Sequence, residues 1–359
     1  MHPTAAEMKA LAQRDPKLAS AMGKVPAFPG FPTPDRARGS HFQAIARSIV
    51  YQQLAGSAAS AIQFLPKIAE QAGHIDYFQR TANWVLPKDD VPFTEEQLAA
   101  FNADPELVST MRREIFEGIN GVGPAGFDGL ADDMQAFGLA SLEVVEDPEV
   151  RAKLVPTHPW GCKRPLFAND YYPAFNRPNL NLVTTPISAI EADGVRTADG
   201  TLYEADTLVL ATGFKTTAFL AAIDVTGRDG LSIEQAWSDG AIAYKGVTTA
   251  GFPNLFMLYG PNTNGDSLIT MLEYHIEHAV KHIQRLSAEN LSWVDVKKDV
   301  MESWNDNLQR EIEQIGVWFA GCSDYYRAPS GRVVTQWPKT MGEHGKTLEN
   351  IDVDAYLTG

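Results

Sequence analysis

The segment GSAASA, from Gly56 to Ala61, constrains the fold because its small residues nearly match a dinucleotide-binding turn. In the full motif, G-x-G-x-x-G/A, the first glycine permits a sharp turn after a strand. The second lets the pyrophosphate approach the backbone, and the third position lets the helix and strand pack closely. Here Ala58 adds a methyl group where the phosphate should come closest, and the preceding residues predict a helix. Local pattern alone therefore favours a helix–helix junction rich in small residues.

Hydrophobic periodicity predicts the elements around this segment. Apolar residues at helical spacing predict an amphipathic helix over 41–55, begun by a capping box at Ser40. A second helix is predicted over 58–71, with Pro66 inside it and Gly73 ending it. The next segment, HIDYFQR at 74–80, reads as a short strand ending in a basic residue.

The rest of the chain alternates between helical and strand patterns. Residues 95–150 are predicted to be mostly helical, with GINGVGPAG as a loop, and 180–214 are rich in strand and tight-turn signals. TLVLATG and NLFMLYG are apolar runs typical of strands buried on both faces, and a helix is predicted over 268–287. This mixture indicates the α/β class.

Charge and cysteine content restrict the function. The 359 residues carry a formal charge of −15, which is unsuited to general nucleic-acid binding. Two cysteines far apart, Cys162 and Cys322, indicate a reducing cytoplasm rather than a disulfide scaffold. No basic-then-apolar leader and no membrane-length apolar run is present. A cytoplasmic protein without nucleic-acid or membrane partners is expected.

Two basic stretches are candidate anion sites. Arg80 stands where the second strand of a dinucleotide unit would end, the place where arginine accommodates the 2′-phosphate of NADP, and Thr81 adds a hydroxyl. Lys163 and Arg164 adjoin in a loop framed by proline and glycine. The alternatives are a solvated loop arginine and two ordinary surface charges.

Three histidines share one helical face in YHIEHAVKH: His275, His278 and His282. No cysteine or carboxylate cluster accompanies them, so a solvated or packed face is favoured over a metal site. The stretch NGVGPAG is similar to a helix-hairpin-helix loop, but it lacks the flanking basic residues that DNA binding requires.

From Ala59 to about residue 345 the chain resembles flavin-dependent Baeyer–Villiger monooxygenases. The resemblance rests on ASAIQFLPKIAEQAGHIDYFQRTANWVLPKDD, PTHPWGCKRPLFANDYYPAFNRPNL, LVLATGFKTTAFL, TTAGFPNLFMLYGPNTN and GCSDYYRAPSGRVVTQWPKTM, in family order and spacing. It implies FAD and NADPH as cofactors and a small ketone and O2 as substrates. The product would be an ester or lactone, formed through a C4a-peroxyflavin.

The resemblance also implies roles for individual residues. Arg80, Thr81 and Lys163 would hold the 2′-phosphate, and Arg164 would be the catalytic residue that stabilises the negatively charged peroxyflavin. The remaining cofactor-binding residues would lie in the near-glycine turn, in the strand LVLATGF and in the loop YGPNTN: Gly56, Ser60, Thr212, Gly213 and Asn262.

The start of the chain departs from the family pattern. Neither the FAD-binding glycine turn nor the F-x-G-x-x-x-H-x-x-x-W fingerprint is found, and residues 14–58 resemble helix-hairpin-helix 3-methyladenine DNA glycosylases. The predicted fold is an incomplete flavoprotein monooxygenase with two dinucleotide-binding (Rossmann-like) domains, joined as a chimera near GSAASAI. Its parts would be a helical fragment (1–56), a partial NADP-binding domain (57–215) and the C-terminal part of the FAD-binding domain (216–359).

This organisation predicts weak NADP affinity that Ala58→Gly alone does not restore, no obvious place for the FAD pyrophosphate, and impaired activity. An inactive remnant or NADP-binding module is the main alternative, and a DNA glycosylase fragment is a lesser one.

Overall fold

The computed structural model describes residues 57–88, 91–120, 123–211, 215–221, 223–265, 267–318 and 326–359. These residues lie in one compact unit, Ala55–Gly359. The helices are α1 (Ser57–Ala69), α2 (Glu95–Ala103), α3 (Pro105–Asn120), α4 (Gly123–Ser141), α5 (Pro148–Lys153), α6 (Tyr171–Ala174), α7 (Ile233–Ala236), α8 (Leu268–Ala288), α9 (Lys298–Ile312) and α10 (Met341–Leu348). The strands are β1 (Ile75–Phe78), β2 (Val85–Leu86), β3 (Leu166–Phe167), β4 (Leu180–Val183), β5 (Ile187–Glu191), β6 (Gly194–Thr197), β7 (Leu202–Glu204), β8 (Val294–Val296) and β9 (Tyr356–Thr358).

Two short parallel strand pairs organise the first half of this unit. β1 pairs with β4, and β2 pairs with β3. Helix α1 contributes its apolar face to the same core, where Ile62 and Leu65 are almost fully buried. The predicted helix over 58–71 and strand over 74–80 are confirmed, and Pro66 is accommodated inside α1.

The helical region predicted over 95–150 is also confirmed, as α2 to α5. Thr94 and Gln97 form a capping box at the start of α2. The prediction that GINGVGPAG is a loop is wrong for most of its length: α3 extends to Asn120 and α4 begins at Gly123.

The strand-rich segment after residue 180 forms β4 and then an antiparallel sheet, β5-β6-β7. The two Asp-Gly pairs lie at its turns, as predicted. Gly194 is required by a close approach, since a Cβ there would lie 2.0 Å from the carbonyl oxygen of Tyr203.

Two predicted buried strands are wrong. The described part of TLVLATG, residues 207–211, has no strand structure, and neither does NLFMLYG at 254–260. Leu208 and Leu210 are exposed. An apolar run becomes a strand only when neighbouring strands satisfy its backbone hydrogen bonds, and the described residues supply none there.

The second half packs around α8, α9 and α10. The longest of these, α8, confirms the helix predicted over 268–287, and it contacts α10 along one side. Two loops in this half approach very closely: a Cβ on Gly246 would lie 2.0 Å from Thr263 Cγ2, and one on Gly260 would lie 2.4 Å from the Gly246 carbonyl oxygen. Among the helices described, none combines the length and apolar character needed to cross a membrane.

Candidate functional site

Arg80 and Thr81 lie just beyond the carboxyl end of β1, and both side chains are exposed. Parallel pairing with β4 fixes this strand end, and the Gln79 amide continues the pairing by donating to the Val183 carbonyl oxygen at 2.9 Å. The location is the one predicted, at the strand end where a dinucleotide fold selects its ribose.

The loop that carries Lys163 and Arg164 is tied to the segment following Thr81. The Trp84 indole N–H donates to the His158 carbonyl oxygen at 2.9 Å, and the Asn83 side-chain amide donates to the Arg164 carbonyl oxygen at 3.1 Å. Beyond the loop, β3 pairs with β2. These contacts hold the loop at both ends, so its two cations are presented by a fixed backbone.

Electrostatic effects show which cations face each other. Lys163 is half-buried, and burial lowers its pKa, with repulsion by Arg80 as the second cause. Arg164 in turn acts on Tyr259, because burial raises the pKa of that phenol to about 12 while the arginine charge opposes the rise. Among the residues described, no carboxylate forms an ion pair with Arg80, Lys163 or Arg164. Two like charges that approach each other in this way are a candidate site for an anion.

Tyr259, the residue on which the Arg164 charge acts, opens a loop that extends to Asn264. Asn262 has a left-handed backbone conformation (φ 57°) and is 4% exposed. Its side-chain amide donates to the carbonyl oxygens of Val333 and Gln336, at 2.8 and 3.0 Å, and its Oδ1 is buried without a hydrogen-bond partner. The structure therefore places Asn262 as a loop anchor, and its predicted contact with a cofactor stays a prediction.

The other predicted site residues are described only in part or not at all. Gly56, Thr212 and Gly213 lie outside the described residues, and Ser60 is described as part of α1 without its side chain. The helix predicted over 41–55 also lies outside them. Cys162 is buried and disulfide-bonded, which the number and spacing of the cysteines did not predict.

The histidine face of α8 is packed rather than solvated. His275, His278 and His282 are at most 1% exposed, and His344 of α10 joins them. Burial is the main cause that lowers their pKa, to about 4 for His275 and His278 and about 3 for His282. Neutral imidazoles can bind metals, but no group of ligands suited to a metal occurs among the described side chains.

Sequence reasoning missed two residues of the site. Asn83 holds the Arg164 carbonyl, and Tyr259 faces the Arg164 charge. Neither residue type signals such a role by its spacing. Only the pairing of β2 with β3, and the approach of the loop at 259–264, bring them there.

Comparisons with known proteins identify relatives of this chain. No family model matches the chain. A Baeyer-Villiger monooxygenase of Pseudomonas aeruginosa is 35% identical over 309 residues, which cover 84% of this chain and 58% of the relative. One of Streptomyces coelicolor is 32% identical over 348 residues, 93% of this chain and 66% of the relative. The solved cyclohexanone monooxygenase from Rhodococcus sp. Phi1 bound to NADP+ is 26% identical, with a TM-score of 0.72 over 84% of this chain and 65% of that one.

The chain therefore has the fold of flavin monooxygenases, which is built on two dinucleotide-binding Rossmann-like domains. Within that class its named relatives include Baeyer–Villiger monooxygenases, and the chain spans 58% and 66% of the lengths of the two described above. The Streptomyces alignment extends into the segment before residue 58, because the unmatched 7% is shorter than that segment. The glycosylase-like origin of residues 14–58 stays a prediction.

Proposed function

We propose that this chain is part of an FAD- and NADPH-dependent monooxygenase that converts a small ketone into an ester or lactone. In this reaction one oxygen atom of O2 enters the product and the other leaves as water, with electrons from NADPH. The observation that carries the proposal is the approach of Lys163 to Arg80, beside Arg164 in the chain, with no carboxylate paired to any of the three among the described residues. The names of the relatives support it.

The donor set fits the 2′-phosphate of NADPH. Repulsion between Arg80 and Lys163 contributes to the lowered pKa of the lysine, and a dianionic phosphate between them would relieve that repulsion. Thr81 would add a hydroxyl donor. NAD+ lacks the phosphate, so it would leave the two cations unneutralised, which is the physical basis of NADP selectivity.

Arg164 would supply a fixed positive charge at the reacting centre. Asn83 holds its carbonyl, so the backbone from which the guanidinium extends is already positioned when negative charge develops on the reactants. Such preorganised charge is worth more than a mobile surface arginine, because no reorganisation accompanies the step. FAD, when bound, would supply the activation of O2.

The fit to FAD is weaker than the fit to NADPH. Within the ranges that the structure describes, no glycine-rich turn links a strand to a helix, and the loop 259–264 is the part that faces Arg164. An NADP-binding module without flavin is therefore the second candidate function. The exposed, strandless run at 207–211 is the observation that favours it.

Binding measurements test the first step. Isothermal titration of the purified chain with NADP+ should give a Kd that Arg80→Ala weakens by about 10- to 100-fold, since a hydrogen bond to a charged group contributes about 1.5–3 kcal/mol. Arg177→Ala is the matched control, because it removes an equally charged, exposed side chain elsewhere. Equal NADP+ affinity in Arg80→Ala and wild type would remove Arg80 from the site.

Two further readouts separate the candidate functions. NADP+ affinity should fall as pH rises through the lowered pKa of Lys163, because only the ammonium form attracts the phosphate. Flavin absorbance of the purified chain, with reconstitution by added FAD, then decides between them. NADP+ binding without any flavin binding would support the module and refute monooxygenation by this chain alone.

A further inference from the structure

Tyr259 opens the loop that faces Arg164, and its backbone is held in an unfavourable conformation. Its φ is 67°, in the left-handed region that costs a non-glycine residue about 1–2 kcal/mol. Its amide donates to His275 Nδ1 at 2.8 Å, and its phenol donates to the Asn264 side-chain oxygen. Backbone strain of this kind persists only where surrounding contacts over-determine it.

The amide of Tyr259 fixes the protonation of two buried histidines in turn. A backbone amide can only donate, so His275 Nδ1 is the acceptor and the proton of the neutral ring is on Nε2. That Nε2 lies 2.8 Å from His344 Nε2, which must therefore accept. The proton of His344 is then on Nδ1, so a single tautomer of each ring satisfies both hydrogen bonds.

Packing leaves these two rings no alternative partners. His275 and His344 are fully buried, and the Trp337 ring lies edge-on to His344 with centroids 4.7 Å apart. His344 Nδ1 has no hydrogen-bond partner among the described residues. The relay therefore leaves the Nδ1–H of His344 buried without an acceptor among the described residues, which is energetically costly.

We propose that His275 and His344 are a positioning pair, which fixes the loop from Tyr259 to Asn264 against Arg164. His344 accepts the Nε2 proton of His275, and His275 in turn accepts from the strained amide of Tyr259, so the start of the loop is held in place. The role assigned to Arg164 rests on the proposed function, whereas the hydrogen-bond relay does not.

The tautomers can be read directly from the wild-type protein. With 15N-histidine labelling at pH 7.5, long-range 1H–15N spectra should show His275 protonated on Nε2 and His344 protonated on Nδ1. The opposite tautomer on His275 would overturn the proposal, and this outcome requires no variant to fold.

Variants test the mechanical consequence. His344→Phe keeps an aromatic ring against Trp337 but removes the acceptor, so the Tyr259 amide should exchange with solvent roughly tenfold faster, the factor that about 1.4 kcal/mol gives. His344→Gln restores an acceptor oxygen and should recover most of the protection. His282→Phe is the control, because both of its ring nitrogens are buried without partners and it lies outside the relay. Unchanged exchange of the Tyr259 amide in His344→Phe would overturn the relay.

A double-mutant cycle tests the link to Arg164. Arg164→Met should shift the Tyr259 amide resonance in the wild-type background and shift it much less in His344→Phe, where the loop is no longer fixed. Equal shifts in both backgrounds would refute the positioning role. NADP+ affinity should be unaffected by His344→Phe. If Arg80→Ala leaves NADP+ affinity unchanged, that result counts against the proposed function and leaves the hydrogen-bond relay intact.

Discussion

The four buried histidines make the stability of the C-terminal half depend steeply on pH. Burial lowers the pKa to about 4 in His275 and His278 and to about 3 in His282, and it lowers that of His344 well below 6.5. In the unfolded chain each imidazole titrates near 6.5. The folded state therefore binds fewer protons than the unfolded state between about pH 6.5 and pH 4. Stability is fully present above pH 6.5 and is lost as pH falls through this window.

The magnitude follows from the shifts. Each histidine that protonates only on unfolding gives a slope of about 1.4 kcal/mol per pH unit. Between pH 6.5 and pH 5 that is a loss of about 2 kcal/mol per histidine, or about 6 kcal/mol for His275, His278 and His282 together. This is comparable to the whole free energy of unfolding of a typical domain, about 5–15 kcal/mol. A marked loss of stability between pH 6.5 and pH 5 is expected.

A single substitution isolates the effect from the titration of carboxylates. The ring of His282 lies against Tyr356 and Phe256, with centroids 4.6 and 5.4 Å away, and neither of its nitrogens has a partner among the described residues. His282→Phe should therefore preserve packing and equal or exceed wild-type stability at pH 7.5. It should also reduce the slope of stability against pH by about 1.4 kcal/mol per unit near pH 5.5.

Urea unfolding monitored by tryptophan fluorescence at several pH values between 7.5 and 5 measures this slope. Trp337 is a suitable reporter, because its ring contacts that of His344. His74→Gln, which removes an exposed imidazole, is the control. If the slopes of His282→Phe and wild type coincide, the buried histidine is already charged in the folded state and the reasoning is refuted.

Three further substitutions test the packing, each by urea unfolding. Leu65→Ala, in the core beneath β1, should lower the free energy of unfolding by about 2–5 kcal/mol. A loss below about 1 kcal/mol would contradict the burial of Leu65. Gly246→Ala should lower the free energy of unfolding by more than ~3 kcal/mol, because a left-handed φ and a clash with Thr263 combine. Gly200→Ala is the control: its φ is similar but the space around it is open, so it should lower that free energy by only about 1 kcal/mol. Equal losses in the two variants would exclude the clash. Asp295→Asn should lower the free energy of unfolding by about 3 kcal/mol, since the buried carboxylate of Asp295 accepts from Arg228 at 2.9 Å. An unchanged free energy of unfolding would show that the ion pair contributes nothing.

The histidine face shows how far the sequence predicts such a cluster. The spacing of 275, 278 and 282 places three rings on one side of α8, and the structure confirms that they share a face. Whether that face is solvated or packed depends on α10, about sixty residues further along the chain. Helical periodicity carries no information about a partner at that separation, so the pairing of His275 with His344 could not be anticipated.

The apolar runs show the opposite failure. TLVLATG and NLFMLYG have the composition of strands buried on both faces, and this composition alone led to the prediction. A strand is a property of neighbouring segments, because its amides and carbonyls must find partners outside the run. The exposure of Leu208 and Leu210 shows that residues 207–211 have no such neighbours among the described residues.

The candidate site lies between these two cases. The sequence locates Arg80 at a strand end and Lys163 beside Arg164 by pattern and resemblance, and the structure brings Lys163 close enough to Arg80 for the two charges to repel. The net charge of −15 argues against a polyanionic partner, because such binding needs many distributed cations. It does not argue against one phosphate group, for which two or three fixed cations suffice. A net charge of −15 is therefore compatible with the proposed phosphate site at Arg80 and Lys163.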